Sequence, residues 1–399
     1  MKLREAWVST RQHLESADVP DASLEAEVLL RHTLSIDRAT FLGSLEDELS
    51  VSGASTFGQF VERRIVGEPL AYITGHREFY GLDFVVTPDV LVPRQETEML
   101  VEAVLRYAAS RLTPSPLEGE GWGEGSGVAQ QNQPAANSTP TLTLPRRGGE
   151  DKNLTPSPLG GQGRSEGGGD LAARAGVGTG ARPLRDSFPA PSPLEGEGWG
   201  EGEGGGVAQQ NQPVANSTPT LTLPLQGGED KILTIADIGT GSGAIAVALG
   251  HSLQKATVYA TDISPDALRA ADMNRRQNGV EARVHLRQGD LFDALDGPVD
   301  VIVSNPPYLS SEEVGDLPAD VKHEPTTALS AGDDGMNVLR RLIEDAPSYL
   351  NPGGLLVMEI DPRRLDEVME LARDTFTGTD VSFARDLAGL ARVVSVTLN

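Results

Sequence analysis

A strand-length apolar run, Ile232 to Asp237, leads at once into Ile238-Gly239-Thr240-Gly241-Ser242-Gly243, and then into the apolar stretch Ala244 to Leu249. Three glycines between a strand and a helix leave the chain few options. It must turn sharply there with a bare backbone, because glycine reaches dihedral angles barred to other residues and brings no side chain. Amide groups at the start of the following helix then face whatever lies above the turn. With Ala244 the turn also satisfies the dinucleotide pattern Gly-x-Gly-x-x-Ala. Taken alone, it marks a ligand site without naming the ligand.

The rhythm around the turn sets the fold class. Strand-like runs recur at Ile232–Asp237, Thr257–Thr261, Arg283–Leu286, Val299–Val303, Leu355–Ile360, Val381–Ala384 and Val393–Leu398. Helical stretches separate the earlier ones, notably Pro265–Asn278, with Ser264 as N-cap and Pro265 in the first helical position. Such alternation predicts an α/β domain with a parallel, doubly wound sheet. The last two runs are too close for a helical crossover and are expected to pair as an antiparallel hairpin at one edge.

Upstream the organisation differs. Residues 1–75 carry helical signals and are expected to form a small bundle, with stripes Leu24, Val28, Leu29, Leu34 and Phe57, Phe60, Val61, Ile65, Val66, and Asp21 as a cap. Residues 76–112 read as a hairpin around Tyr80-Gly81 and then a helix from Gln95. Between 113 and 230 the composition changes: 25 glycines and 14 prolines fall in that segment. Pro114–Gly125 returns unchanged as Pro191–Gly202, and Ala129–Lys152 returns as Ala208–Lys231 with three substitutions. Repeats of Gly, Pro, Ser, Gln and Glu bury too little apolar surface to offset the entropy of ordering. This segment is expected to be a disordered low-complexity insertion, and a long loop is tolerable because closure entropy grows only logarithmically with length. Residues 231–399 then form the catalytic domain.

Charge and composition exclude several classes. The chain holds 58 acidic and 33 basic side chains, a net charge of -25, with no run of Lys/Arg longer than two. Such a chain repels a phosphate backbone unless its basic residues gather in one patch, so direct nucleic-acid binding is not expected. With no cysteine, thiolate catalysis and Cys-ligated metal sites are impossible. The six histidines show no metal spacing. No apolar run approaches membrane-spanning length, and a cytoplasmic monomer is expected.

Three features at strand ends add chemistry. Asp262 ends the second strand of the series, where a carboxylate can accept both hydroxyls of a ribose; NAD and S-adenosylmethionine both carry one. Gly289-Asp290-Leu291-Phe292 follows the third, where Asp290 and Leu291 are placed to edge an adenine. Asn305-Pro306-Pro307-Tyr308 follows Val299–Ser304, at the carboxyl end where open parallel sheets gather ligands. This last motif suits an amide or exocyclic amine, a nucleophile whose lone pair is delocalised. The Asn305 side-chain oxygen and the Pro306 carbonyl are two acceptors for its N–H bonds. Each proline fixes its own φ, and Tyr308 offers a flat face.

Several motifs together carry a resemblance. Glu68–Gly75, Pro93-Arg94-Gln95-Glu96-Thr97-Glu98, Asp237–Gly243, Asn305–Tyr308 and Glu324–Leu329 resemble the HemK/PrmC family, the glutamine methyltransferases of class I peptide chain release factors. The likeness implies a seven-stranded, Rossmann-like class I methyltransferase domain behind an N-terminal helical domain that docks the substrate. It implies S-adenosyl-L-methionine as cofactor, and methylation of the glutamine in a release factor's Gly-Gly-Gln loop. Cofactor contacts would fall on Gly239, Thr240, Gly241, Ser242, Gly243, Asp262, Asp290, Leu291 and Asn305. Substrate contacts and catalysis would fall on Asn305, Pro306, Pro307 and Tyr308. Gln95 and Asp361 depart from the family's pattern, which has proline and glycine there. Sister readings are a glutamine methyltransferase of a large-subunit ribosomal protein, a DNA adenine-amino methyltransferase, and a non-catalytic chain whose insertion has broken the fold.

Overall fold

The computed structural model describes residues 1–112 and 232–398. The segment 113–230, expected to be a disordered insertion, lies outside the described residues.

Five helices open the chain: α1 (Leu3–Ser16), α2 (Ala22–Leu34), α3 (Arg38–Gly43), α4 (Val51–Ile65) and α5 (Leu70–Thr74). They close on Leu3, Ala6, Leu29, Leu30, Phe41, Leu49, Phe57 and Ile73. Three details of the sequence reading are corrected here. The inward stripe of α2 is Ala22, Ala26, Leu29 and Leu30, at helical spacing, while Leu24 lies on the other face and is exposed. Ile65 and Val66, at the end of α4, are exposed as well. Asp21 does precede α2, but in a left-handed conformation whose side chain makes no capping bond.

The hairpin β1 (His76–Phe79) and β2 (Leu82–Val85) turns through Tyr80 and Gly81, both at positive φ, as a two-residue hairpin loop requires. Helix α6 (Glu98–Leu112) begins three residues later than expected. The amides of Glu98, Met99 and Leu100 already bond to the carbonyls of Gln95, Glu96 and Thr97, so the approach is a tight turn ahead of the helix.

The remaining elements are β3 (Leu233–Ile238), α7 (Ala244–Ser252), β4 (Ala256–Asp262), α8 (Pro265–Gln277), β5 (Val284–Gln288), β6 (Val299–Ser304), α9 (Ser311–Gly315), α10 (Thr326–Leu329), α11 (Asn337–Tyr349), β7 (Leu350–Glu359), α12 (Leu365–Thr375), β8 (Val381–Arg385) and β9 (Ala391–Thr397). The sheet order is β5-β4-β3-β6-β7-β9-β8. All pairs are parallel except β7–β9 and β8–β9, which gives the expected seven strands with a reversal at the edge. Ser264 caps α8 by accepting from the Ala267 amide at 3.2 Å, with Pro265 behind it.

Strand alternation builds a core on each face. Ile235, Val301, Val303, Leu355, Val357 and Val393 face α6, α7 and α8. Their neighbours Ala236, Ile302, Leu356, Met358, Val394 and Val396 face α11 and α12. Each fully buried aliphatic side chain of this kind contributes about 1.5–3 kcal/mol by leaving water.

Buried polar groups fix the joints. Asn274 of α8 is fully buried; it accepts from the Val85 amide at 2.7 Å and donates to the carbonyls of Val85 and Ser242 at 2.9 and 2.8 Å. One side chain thereby ties the hairpin, α8 and the glycine turn together. Tyr72 of α5 donates to the Val90 carbonyl at 2.6 Å, anchoring the helical region beside the segment that leads to α6.

Candidate active site

The carboxyl ends of β3, β4 and β6 converge on a cavity of about 410 Å³, within the range of about 300–1,000 Å³ usual for small-molecule sites. Of the residues expected to bind cofactor, Gly239, Thr240, Gly241, Ser242, Asp262, Asp290, Leu291 and Asn305 line it, as do Pro306 and Pro307. Gly243 is not among the lining residues. A side chain there would press on Ala271 at 3.1 Å, so this glycine serves the packing of α7 against α8. At Gly239 and Gly241 a Cβ would meet no protein atom within 4 Å.

The acidic residues are arranged by local hydrogen bonds. Asp237 is fully buried, and its Oδ2 accepts from Thr240 Oγ1 at 2.6 Å and from the Ala246 amide at 3.1 Å. Its Oδ1 is buried without a partner. Asp262 braces the turn by accepting from the Gly241 amide at 2.8 Å and the Ser264 amide at 2.9 Å. Burial raises its carboxyl group against the pull of those amides. Beside it Ile263, 63% exposed, presents an apolar face at the rim of the cavity. Asp290 pairs with Arg341 at 2.9 Å across the rim, and Leu291 is held at a φ of 49°, a strained conformation for a branched side chain.

A second cavity of about 210 Å³ lies behind the first and shares Leu91, Arg94, Asn305, Pro306, Pro307 and Ala328 with it. Tyr308 lines only this second one, and its ring also packs on the core facing α11. Burial pushes its phenol up from the ordinary range. The chain after Tyr308 makes a long excursion through α9 and α10, then returns: the Leu309 amide bonds to the Leu329 carbonyl at 3.0 Å, and the Ala331 amide to the Leu309 carbonyl at 2.8 Å. Arg94 donates to both oxygens of buried Glu324 at 2.8 Å, tying this excursion to the turn before α6. Asp361, one of the departures, accepts from the Arg363 amide at 2.8 Å and from its guanidinium at 2.6 Å.

Asn305 donates through Nδ2 to Thr97 Oγ1 at 3.1 Å, and Thr97 in turn donates to Glu359 Oε2 at 2.6 Å. Asn305 Oδ1 accepts from no described residue. Thr97, Arg94, Glu324, Glu359 and Arg341 were not among the expected site residues. The only sequence signals were the Pro93–Glu98 and Glu324–Leu329 motifs and an acid closing an apolar strand.

A model described as "PrmC N-terminal domain" matches residues 5–75, and one described as "Methyltransferase small domain" matches residues 221–320. The chain is 34% identical over 393 residues to the release factor glutamine methyltransferase of Moorella thermoacetica, spanning 98% of this chain and 97% of that one. The chain belongs to the release factor glutamine methyltransferase family. A second member, from Koribacter versatilis, is 30% identical over 397 residues, spanning 99% and 98% of the two chains. The member from Gloeobacter violaceus is 43% identical over 163 residues, 40% of this chain and 57% of that one.

S-adenosyl-L-methionine is the methyl donor of a methyltransferase of this class. The site fits it: the cavity has the volume of a small-molecule site, side chains are missing where two glycines face open space, and the Asp262 carboxylate lines it at the end of β4, where ribose hydroxyls can be accepted. Among the described residues no helix is long and apolar enough to cross a membrane.

Three carboxyl groups around the site, those of Asp237, Glu324 and Glu359, are each pushed up to about 7 by burial. In the unfolded chain they titrate near 4. Their folded values are raised, so the stability tied to their neutral forms is fully present below about pH 4 and is lost as pH rises through about 7. Thermal melts of the ligand-free protein are expected to give a Tm that falls steadily between about pH 5 and 8. Carboxylates held low by partners, such as Glu313 and Asp361, act only at lower pH. A flat or rising Tm across that window contradicts the assignment.

Proposed function

We propose that the protein transfers the methyl group of S-adenosyl-L-methionine to the side-chain amide nitrogen of the glutamine in the Gly-Gly-Gln motif of class I peptide chain release factors. One observation carries the reading: Asn305-Pro306-Pro307 forms the wall common to two cavities, one under the glycine turn and one beside Tyr308. An amide held at that wall has a cofactor cavity on one side and its own pocket on the other.

The Gly239–Ser242 turn, Asp262, Asp290, Leu291 and Asn305, which line the first cavity, would hold the cofactor. Bound there, S-adenosyl-L-methionine supplies a methyl group already activated by a sulfonium. What this chain adds is orientation in a water-poor pocket. Asn305 Oδ1 and the Pro306 carbonyl accept the two N–H bonds of the glutamine amide and aim its nitrogen at the first cavity; as the nitrogen gains the methyl group it gives up one of these protons, which passes to solvent. Pro307 keeps the segment rigid, and Tyr308 closes the second cavity against the flat amide. The N-terminal helical domain, residues 1–75, docks the release factor. Residues 76–112 and 231–399 make up the catalytic domain. The enzyme acts as a cytoplasmic monomer on a protein, without direct contact to nucleic acid.

Mass spectrometry of a purified release factor after incubation with enzyme and cofactor tests this. One methyl group on the Gly-Gly-Gln peptide is expected. Modification of a ribosomal protein instead, or of neither, overturns it.

A further inference from the structure

Thr97 precedes α6, Asn305 follows β6 and Glu359 ends β7, and side chains from these distant places meet in a line. Asn305 Nδ2 lies 3.1 Å from Thr97 Oγ1, which lies 2.6 Å from Glu359 Oε2. Thr97 and Glu359 are 4% and 2% exposed. We infer that Thr97 and Glu359 are positioning residues for methyl transfer, holding the Asn305 amide in the single orientation that turns its oxygen toward the substrate. This rests on the function proposed above.

Hydrogen-bond inventory gives the reason. A threonine hydroxyl has one proton, and once the Glu359 carboxyl is ionised, above about pH 7, that proton is spent on the carboxylate. Thr97 Oγ1 can therefore only accept from Asn305, which fixes Nδ2 on the Thr97 side and leaves Oδ1 on the other. An inverted amide would set Oδ1 against an oxygen with no proton to give, leaving buried polar groups unpaired. Without the hydroxyl, nothing at this end of the amide tells oxygen from nitrogen.

Glu359 also needs an explanation on grounds of stability. It follows the wholly apolar and buried run Leu355, Leu356, Val357 and Met358, and among the described residues it forms no ion pair. A carboxylate buried without a cation is costly, and an apolar residue at the end of β7 would pack at lower cost. The carboxylate is what makes Thr97 a donor on one side and an obligate acceptor on the other.

The test uses the full chain with three variants. Thr97→Val keeps the shape and removes the hydroxyl; Thr97→Ser keeps the hydroxyl; Glu359→Leu releases the hydroxyl proton. In single-turnover reactions at about pH 8, where Glu359 is ionised, with saturating cofactor and release factor, Thr97→Val and Glu359→Leu are expected to lower the rate by about 10- to 100-fold. Thr97→Ser is expected to stay within about threefold of wild type. Cofactor Kd of both Thr97 variants should stay at wild-type values, and Thr97→Ser should keep the wild-type Tm, whereas Thr97→Val, which leaves buried Glu359 without its donor, should melt lower. A readout free of activity accompanies this: in ¹⁵N–¹H spectra the side-chain NH₂ protons of Asn305, assigned by their loss in Asn305→Ala, should be protected from exchange in wild type and Thr97→Ser and unprotected in Thr97→Val. A Thr97→Val rate near wild type overturns the inference. So does a loss shared equally by Thr97→Ser, which would mark a packing role. Should wild type fail to methylate any release factor, the proposed function fails, and the exchange measurement alone decides the role of Thr97: unchanged protection in Thr97→Val then overturns it.

Discussion

Asn305→Ala is expected to lower methyl transfer to a release factor by about a hundredfold or more, the loss typical when one preorganised hydrogen bond to the reacting group is removed, on the order of 3 kcal/mol. The substitution removes the acceptor that aims the glutamine nitrogen and the donor that binds Thr97 Oγ1 at 3.1 Å. Cofactor affinity should fall far less, because Asp262 remains braced on the Gly241 amide at 2.8 Å and the glycine turn is untouched. Single-turnover transfer from radiolabelled cofactor, alongside calorimetric titration, separates the two quantities. A variant that turns over within a few-fold of wild type would remove Asn305 from the mechanism.

The second large effect is expected from Gly241→Val, with the opposite signature. Gly241 has a φ of 56°, and a Cβ there would meet no protein atom within 4 Å. The valine side chain would thus project into the space assigned to cofactor. It would also carry the strain of a β-branched residue in the left-handed region, of order 1–3 kcal/mol. The fold should survive with a lowered Tm, since the core on either face of the sheet is unaltered. Calorimetric titration is expected to detect no cofactor binding. Affinity near wild type would mean that the turn lies under some other ligand.

Much of this was legible in the sequence, for physical reasons that differ from place to place. The glycine turn, the Ser264-Pro265 cap and the Tyr80-Gly81 hairpin are local: residues adjacent in sequence dictate the backbone, so pattern and structure coincide. Strand positions came from apolar period, and the final reversal from the short spacing between two runs. Helix faces were harder. In α2 the inward face starts on the small residues Ala22 and Ala26 before reaching Leu29 and Leu30, and bulky Leu24 points outward, so a stripe read from large side chains alone misplaces the face. The start of α6 was misplaced because Gln95, Glu96 and Thr97 are individually compatible with a helix, and only their carbonyl bonds reveal a turn. Least legible was the line through Asn305, Thr97 and Glu359, whose members stand 208 and 262 residues apart. No local pattern encodes such a meeting.

The path of α6 has one more consequence. The helix starts at the cavity end of the sheet, near Thr97, and runs back until Tyr107 reaches the Gly353 carbonyl at 2.7 Å and Arg111 bonds to the same oxygen, where β7 begins. Its 15 residues span about 22 Å. From Ile232 the chain enters β3 at that same remote edge and reaches the cavity at Ile238. The described residues on either side of the segment 113–230, Leu112 and Ile232, therefore both lie at the end of the sheet away from the chemistry. A reporter or a second domain joined between Leu112 and Ile232 is therefore expected to be attached at the end of the sheet away from the catalytic wall.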